Sequence, residues 1–509
     1  MDIVLINPPV TRPCEPPAGL ARLVGALHDH GCSFLAVDAN IEGLLFLLEE
    51  GTTAQDTWTR RAVNHLKGNL SALRSTKAFE NMSRYTRSVT ELNRILACRS
   101  RLGNAHVTLG NYSQAGLSPV SSADLLFSAQ QHEKNIFYPY FRTRLLAILE
   151  EYSPDIVGLS LNYLSQALTC FAMAGFIRQA CPDIKILLGG GLVTSWMKRP
   201  GFINNPFSGL IDDMIAGPGE KYVLSEVGAD YSGESPLPDY SSFTESGYLS
   251  PGRVIPFSTS FGCYWGNCSF CPEKAEGSRY SCLSKIKVFS DLDSIIEKES
   301  PSLIHFCDNA LSPALLERFA SREIPASWYG FARITHHLCE PDFCVALKKS
   351  GCVMLKLGIE SGDQDVLDEL GKGINLEVAR KALKTLKQAG IATYVYLLFG
   401  TPTEDENRAR NTLDFIVKHS DYVDFLNLSI FNLPRQSTEA EALETFDFSK
   451  GDLSLYEGFV HPRAWNRNKV RQFLDKEFKR HSSIAQIVRN DPPVFTSNHA
   501  PFFVLNRNG

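Results

Sequence analysis

The residues whose types and spacing most clearly suit chemistry are Cys263, Cys268 and Cys271. They lie in Phe261-Gly262-Cys263-Tyr264-Trp265-Gly266-Asn267-Cys268-Ser269-Phe270-Cys271-Pro272, a C-x4-C-x2-C arrangement. Thiolates are the natural ligands of iron–sulfur clusters. Three closely spaced cysteines can hold three irons of a four-iron cube. The fourth iron then has no protein ligand and is open to a substrate or cofactor. A structural zinc site takes four ligands, and Cys282 is the residue that would complete one. Gly262, Gly266 and Asn267 mark an irregular loop rather than a packed element. Among the other cysteines of the 13, none forms a second tight triad and none lies beyond Cys352. A second cysteine-ligated cluster in the C-terminal tail is therefore not expected, and most of these thiols read as small buried hydrophobes.

A reactive loop needs elements to hold it. The chain has 509 residues, enough for several domains. With 44% hydrophobic and 21% charged residues it can build cores and does not read as disordered. It carries 51 basic against 56 acidic residues, a net charge of −5, without the basic excess of a nucleic-acid binder. No apolar run reaches the roughly 18 residues of a membrane span. Residues Met1 to Pro9 have no basic stretch ahead of their apolar run, so they read as a buried first strand rather than a signal peptide. The expected location is the cytoplasm, with neither a nucleic-acid nor a membrane partner.

The fold class is α/β. Strands over 1–7, 33–38, 155–160, 184–188 and 210–216 alternate with helices, which predicts a doubly wound, Rossmann-like parallel sheet in a domain of residues 1–228. A polar stretch of about 51–150 interrupts it and reads as an insertion, helical over 62–102 and loop over 110–122. Residues 229–252, rich in Pro, Gly and Ser, read as a linker. Strands over 254–261, 303–306, 326–332, 353–359, 393–399 and 425–430, with helices between, predict a partial (β/α)6 TIM-like barrel over 253–436. The clearest of those helices is 376–389, with Asn375 as N-cap, Val378, Ala382, Leu386 and Ala389 on one face, and Gly390 beyond its end. Residues 437–509 form a mixed, α-rich extension with a basic helix over 468–481. His499 lies in a part of that tail able to fold back over the barrel mouth.

Parallel α/β folds place their chemistry beyond the carboxyl ends of the strands. In the barrel those positions hold Asp308 and Asn309, Arg333, Glu360 and Ser361, and Gly400 and Pro402. In the first sheet they hold Pro8 and Pro9, Ser160 and Leu161, Gly189-Gly190-Gly191, and Gly217, Gly219 and Glu220, with Pro17 and Gly19 opening the first helix. Taken singly, glycines after strands serve turns and Asp or Asn starts helices. No G-x-G-x-x-G follows the first strand, so nothing points to a nicotinamide cofactor.

The triad, its strand and the barrel that follows resemble the radical SAM superfamily. The usual spacing there is C-x3-C-x2-C. The extra residue here is a variant associated with members that also carry a cobalamin-binding domain. Gly358-Ile359-Glu360-Ser361-Gly362 is similar to the family's G-[IV]-E-S-G segment, and Phe399-Gly400-Thr401-Pro402-Thr403-Glu404 to its F-G-x-P-x-E segment. The N-terminal sheet resembles the cobalamin-binding domains fused to such barrels. It departs from them in two places. The D-x-H-x-x-G signature is absent, since Asp29-His30-Gly31 has another spacing, and the usual G-E-G-E appears as Gly217-Pro218-Gly219-Glu220.

The resemblance implies a [4Fe-4S] cluster on Cys263, Cys268 and Cys271. It implies S-adenosylmethionine (SAM) held by Phe270, Asp308, Asn309, Arg333, Glu360, Ser361, Gly400 and Pro402. It also implies cobalamin beside Pro8, Pro9, Pro17, Gly19, Ser160, Leu161, Gly189, Gly190, Gly191, Gly217, Gly219 and Glu220. The activity implied is reductive cleavage of SAM to a 5′-deoxyadenosyl radical, used for cobalamin-dependent methyl transfer to an unactivated carbon of a biosynthetic intermediate. An external one-electron reductant such as flavodoxin or ferredoxin and a small-molecule or peptide substrate go with it. A radical rearrangement or cyclisation is the alternative within enzymes. A non-catalytic iron–sulfur sensor or binding protein is the alternative of another class.

Overall fold

A computed structural model of the protein describes residues 1–50, 56–199, 202, 205–244, 247–449, 451–492 and 495–506. The first residues of the expected insertion, 51–55, and the last three of the tail lie outside the described residues. The chain forms two compact units. One comprises Met1–Pro251 with Ser449–Leu455 and Pro493–Thr496; the other comprises Gly252–Phe448, Tyr456–Pro492 and Ser497–Gly509.

In the first unit, β1 (Ile3–Ile6), β2 (Phe34–Val37), β3 (Ile156–Ser160), β4 (Lys185–Gly189) and β5 (Asp213–Met214) form a parallel sheet in the order β2-β1-β3-β4-β5. All four residues of β1 are buried, as befits a parallel strand covered by helices on both faces. The strand order reverses between β1 and β3, the switch point where such sheets open a crevice. The strand expected over 210–216 shrinks to two residues. The N–H groups of Leu210 and Ile211 turn back to the Phe207 carbonyl and are lost to the ladder.

The insertion contains helices Thr57–Asn64, Leu66–Leu73 and Met82–Ser100. The loop expected over 110–122 is corrected in its first part. Residues Ala105–Thr108 and Asn111–Gln114 form an antiparallel hairpin in which Val107 pairs with Tyr112, and both side chains are buried. Two apolar residues facing each other on one side of a hairpin are sufficient to draw it onto the core. The stretch read as a linker lies on the first unit through Pro251. Asp239 donates its N–H to the Ala21 carbonyl, Leu249 to the Pro13 carbonyl, and the Ser250 hydroxyl to the Cys14 carbonyl.

In the second unit, β6 (Val254–Phe257), β7 (Leu303–Leu311), β8 (Trp328–Ala332), β9 (Cys352–Glu360), β10 (Ala392–Phe399) and β11 (Phe425–Ile430) lie side by side in sequence order, all parallel. That is the strand arrangement of a partial barrel. The expected strand 254–261 is broken, because Asp308 accepts hydrogen bonds from the Thr259 N–H and from the Thr259 and Ser260 hydroxyls. Ser260–Phe261 then pairs antiparallel with Ser281–Cys282.

Side chains alternate across each strand. Phe306 and Trp328 pack outward on Phe319 of helix Pro313–Ala320, so His305, Tyr329, Lys356 and Tyr394 face the interior. On that face exposure rises toward the carboxyl ends. Lys356 is buried while Glu360 is half-buried; Tyr394 is buried while Tyr396 and Leu398 are half-buried; His305 is half-buried while Cys307 and Asn309 are exposed. The barrel interior is closed below and open where the strands end.

Helix Leu376–Gln388 starts as expected, with Asn375 accepting the N–H groups of Glu377 and Val378. Its buried face is Ala379, Ala382, Leu383 and Leu386, with Val378 at the edge. The C-terminal extension has helices Arg467–Lys476, Ser482–Arg489 and Ala500–Leu505. It also has a small antiparallel sheet of Leu433–Pro434, Thr445–Phe446 and Tyr456–Phe459. The tail does fold back, though not over the mouth. Asn498 accepts a hydrogen bond from Lys356 in the middle of β9 at 2.9 Å, and His499 is fully buried. No helix among the described residues is long and apolar enough to cross a membrane.

Glu404 ties the extension to the end of β10. It is fully buried, and its Oε2 accepts the Gly400 N–H and, at 3.0 Å, the Trp465 indole N–H. Its Oε1 has no hydrogen-bond partner among the described residues. Burial pushes the carboxyl from 4.5 up to about 8. An acid with a raised native pKa binds a proton more tightly when folded, so its stabilisation is complete below the unfolded value and is lost as pH rises through the native one.

Two outcomes follow from this packing. Between about pH 5 and about pH 9, the urea midpoint of the wild type should fall relative to that of Glu404→Gln, which has no such proton to lose. Gly190 has φ +114° and a Cβ there would lie 2.4 Å from the Leu161 carbonyl oxygen. Gly190→Ala should therefore destabilise the first unit by about 2 kcal/mol or more, read by urea denaturation.

Candidate functional site

Ser260–Phe261 delivers the chain into the cysteine loop, and Cys271 ends it as the N-cap of helix Pro272–Ala275. Gly262 and Gly266 have φ +69° and +63°, a region that glycine enters without strain. At Gly262 a Cβ would also lie 2.7 Å from the Arg279 carbonyl oxygen. These turns bring Cys263, Cys268 and Cys271 to the wall of one cavity of about 240 Å³, with Gly266, Glu273, Lys274, Gly277 and Ser278 as the other lining residues. Cys282, the fourth ligand of the zinc alternative, is not among them; it sits exposed on the strand paired with Ser260–Phe261.

The donor chemistry fits an iron–sulfur cube. All three sulfurs are free thiols. Burial raises the Cys271 thiol pKa, while the backbone N–H groups of Lys274 and Glu273 act against that rise. Burial also raises that of Cys268, opposed by the charges of Lys372 and Arg333. N–H donors and nearby cations favour thiolate and help hold a cluster.

A segment that sequence reasoning missed, Leu370-Gly371-Lys372-Gly373, braces this loop. The Ser269 N–H donates to the Leu370 carbonyl and the Trp265 indole N–H to the Gly371 carbonyl, both at 3.0 Å. Arg333 donates to the Lys372 carbonyl. Lys372 Nζ lies 2.8 Å from Glu360 Oε1 and 5.6 Å from the Phe270 ring centroid. At Gly373 a Cβ would fall 2.2 Å from the Trp265 ring, so glycine is what lets the indole lie flat there. The signal in the sequence was the pair of glycines around one lysine, both with positive φ, just after a short helix.

The strand-end residues divide. Asn309 is exposed at the end of β7, and Gly400 and Pro402 follow β10. Asp308 is buried and fully engaged with Thr259 and Ser260. The Ser361 hydroxyl is buried against Thr412 and accepts the Asp363 N–H, so it faces the helix layer and not the mouth. Glu360, at φ +69°, turns its carboxylate to Lys372. Arg333 is held by Trp265, Cys268 and the Lys372 carbonyl. Phe270 lies in the loop beneath Lys372. Asp308, Arg333, Glu360 and Ser361, read as direct SAM contacts, are thus each engaged by the chain itself, because the cysteine loop and the helix layer need those groups.

At the ends of β1, β3 and β4 a buried polar chain spans the switch point. Asp38 accepts from Asn7 and from the Tyr248 hydroxyl; the Gln166 side chain donates to Asn7 and to the Pro8 carbonyl, and its Oε1 accepts the N–H groups of Asn162 and Tyr163. Asn162 contacts the Ser160 hydroxyl and accepts the Gly191 N–H. Asn7, Asp38, Asn162 and Gln166 were not singled out from the sequence; being dispersed over 160 residues, they show no local spacing.

Gly19, Gly191 and Gly217 are exposed, and nothing lies within 4 Å of a Cβ at Gly19 or Gly217. Tyr163 and Leu164, beyond β3, are 58% and 38% exposed. This open, uncharged surface suits a large planar ligand. Pro8, Pro9, Leu161 and Glu220 are buried, and Glu220 pairs with Arg22 at 2.7 Å, so their side chains serve the fold. His30 caps the far end of helix Ala18–Asp29, on the side of the sheet away from these strand ends.

Residues 257–416 match the Radical SAM superfamily model. An uncharacterized methyltransferase of Pyrococcus horikoshii is 24% identical over 322 residues, covering 55% of this chain and 67% of that protein. The hopanoid C-3 methylase of Methylococcus capsulatus is 25% identical over 345 residues, covering 61% of this chain and 64% of that protein. The chain thus spans about two thirds of the length of these relatives. Among solved structures, the radical SAM methyltransferase TsrM of Kitasatospora setae, with its tryptophan substrate and a SAM analogue bound, aligns with a TM-score of 0.58 at 15% identity, covering 96% of this chain and 89% of that one. A second TsrM structure, with cobalamin and a [4Fe-4S] cluster bound, aligns at 0.53 and 16%, covering 89% and 82%. At such identities the likeness is one of fold. The stretch that matches the radical SAM superfamily, residues 257–416, takes in the cysteine loop and the parallel strands β7 to β10 beside it.

Proposed function

We propose that this chain is a cobalamin-dependent radical SAM methyltransferase acting on an unactivated carbon of a small-molecule or peptide intermediate. The observation that carries the reading is the convergence of Cys263, Cys268 and Cys271 on one cavity in a loop fed by the first barrel strand. TsrM, of like fold, binds cobalamin and a [4Fe-4S] cluster, and two curated relatives are named as methyltransferase and methylase. Residues 1–228 would carry the cobalamin, 253–436 the cluster and SAM, and 437–509 would shape the substrate end. The 13 free cysteines suit a reducing cytoplasm, where flavodoxin or ferredoxin is the expected electron donor.

When bound, the cluster supplies one electron to the SAM sulfonium and cobalamin supplies a methyl-carrying cobalt. The chain's own residues do the placing. The three cysteines would hold the cluster and leave one of its irons open to SAM. Asn309, Gly400 and Pro402 border the open end of the barrel, where SAM would lie. The interior ring of His305, Tyr329, Phe331, Tyr394 and Tyr396, with Lys356 over Tyr329 and Phe331 at 5.0 and 5.2 Å, excludes water beneath the substrate. In the first unit, Gly19, Gly191, Gly217, Tyr163 and Leu164 offer the corrin a surface without a histidine.

The test is anaerobic purification from cobalamin-fed cells, with iron, sulfide and cobalt measured per chain, followed by reduction with SAM and assay of 5′-deoxyadenosine. The wild type should hold about four irons and stoichiometric cobalt. A Cys263→Ala, Cys268→Ala, Cys271→Ala triple variant should lose the iron and all 5′-deoxyadenosine formation while keeping the cobalt. Iron without cobalt would overturn the methyltransferase reading in favour of a rearrangement. Zinc in place of iron would overturn both.

A further inference from the structure

We propose that Arg333 is a positioning residue of the cluster, not a SAM ligand, and that Arg333 and the Lys372–Glu360 pair together set the cluster's reduction potential. The inference rests on the cluster reading of the cysteine cavity. Arg333 follows β8 and is 8% exposed. Its guanidinium carbon lies 4.2 Å from the Trp265 ring centroid, Nη2 donates to the Lys372 carbonyl, and Nη1 points at Cys268 Sγ from 3.9 Å. Both of its outer nitrogens and one face are thereby committed. No carboxylate among the described residues pairs with it. A planar guanidinium stacked on an indole is held rigidly, as a lysine would not be.

The second cation of the brace is treated differently. Lys372 is paired with Glu360 at 2.8 Å, and at Cys268 the carboxylate offsets part of the lysine's charge. Gly358 leaves room for that pair, since a Cβ there would fall 2.4 Å from Glu360 Oε1 and 2.9 Å from Lys372 Nζ. The net field at Cys268 is therefore positive, made up of the Arg333 charge, which no carboxylate among the described residues pairs with, and the part of the Lys372 charge that Glu360 leaves, acting from buried sites where screening is weak. A reduced cluster carries one more negative charge than an oxidised one, and hydrogen bonds and positive charge at its sulfurs favour the reduced form. Arg333 raises the potential, and Glu360 restrains the rise that Lys372 would otherwise add.

The test is a spectroelectrochemical titration of the reconstituted full chain without SAM, with equilibrium SAM binding measured separately. Arg333→Gln should make reduction about tenfold less favourable, a midpoint lower by about 59 mV for one electron. Glu360→Gln, which keeps the shape but frees the Lys372 charge, should move the midpoint the other way. Arg333→Lys, which keeps the charge, should recover most of the loss. Opposite shifts from the two neutralising variants are not what a packing defect produces. Unmoved midpoints, shifts in the same direction, or Arg333→Gln losing SAM affinity at an unchanged midpoint would each overturn the proposal. If Arg333→Gln takes up no iron, Glu360→Gln decides alone, and an unmoved or lowered midpoint overturns it. A wild type without iron would overturn the cluster reading as well, whereas a wild-type cluster with unmoved potentials would overturn this inference only.

Discussion

The buried carboxylate of Asp308 is the constraint on which the reactive half of this molecule depends. It sits inside β7 and takes the Thr259 N–H and the hydroxyls of Thr259 and Ser260. Of these donors the Thr259 N–H is the one that could continue the ladder of β6. With it taken by Asp308, the strand ends at Phe257 and the chain turns toward the cysteines. A buried acceptor surrounded by donors from one neighbouring segment is costly to leave unpaired. The strand end and the loop start are therefore one interaction, and the cysteine cavity inherits its place from it.

From that point the loop is held by a second layer rather than by its own regular structure. Leu370 to Gly373 supplies three carbonyl acceptors and a lysine, and their four partners come from three elements: Ser269 and Trp265 from the loop, Arg333 from the end of β8, Glu360 from the end of β9. The two glycines matter sterically. Gly373 admits the Trp265 ring and Gly371 the Asn267 carbonyl, which a Cβ would approach to 2.9 Å. Charges placed so close to a thiol act on any ion the thiol holds, and a precise outer shell is as much a part of a metal site as its ligands.

The first unit uses the same device in another form. Its crevice is organised by the line from Asp38 through Asn7 and Gln166 to Asn162, which spans the point where the strand order reverses. Asp38 is fully buried, and burial raises its carboxyl to about 6 despite the hydrogen bonds it accepts. Buried polar networks that are largely satisfied fix one arrangement of the loops around them. Here they leave the glycine-bordered surface open and hold the backbone of residues 160–163 and 191 in register with it.

The sequence by itself determined the class of fold, the alternation of strands and helices along both parallel sheets and the cysteine triad. Hydrophobic period, helix caps and ligand spacing are local properties, and local patterns survive without coordinates. It also placed Asn309, Gly400 and Pro402 at strand ends. The tertiary structure decided what each of the remaining groups does. Arg333, Glu360, Ser361 and Asp308 have the right types in the right order for cofactor contacts, yet each is drawn to a partner on another element: Trp265, Lys372, Thr412 and Thr259. Gln166 and Asn162 carried no signal, Lys372 only the two glycines that flank it, and the hairpin after residue 104 was hidden because its apolar pair, Val107 and Tyr112, is too short for a period to show. A side chain's hydrogen-bond partner depends on which segments meet in space, and that is settled by packing over the whole chain, not by spacing along it.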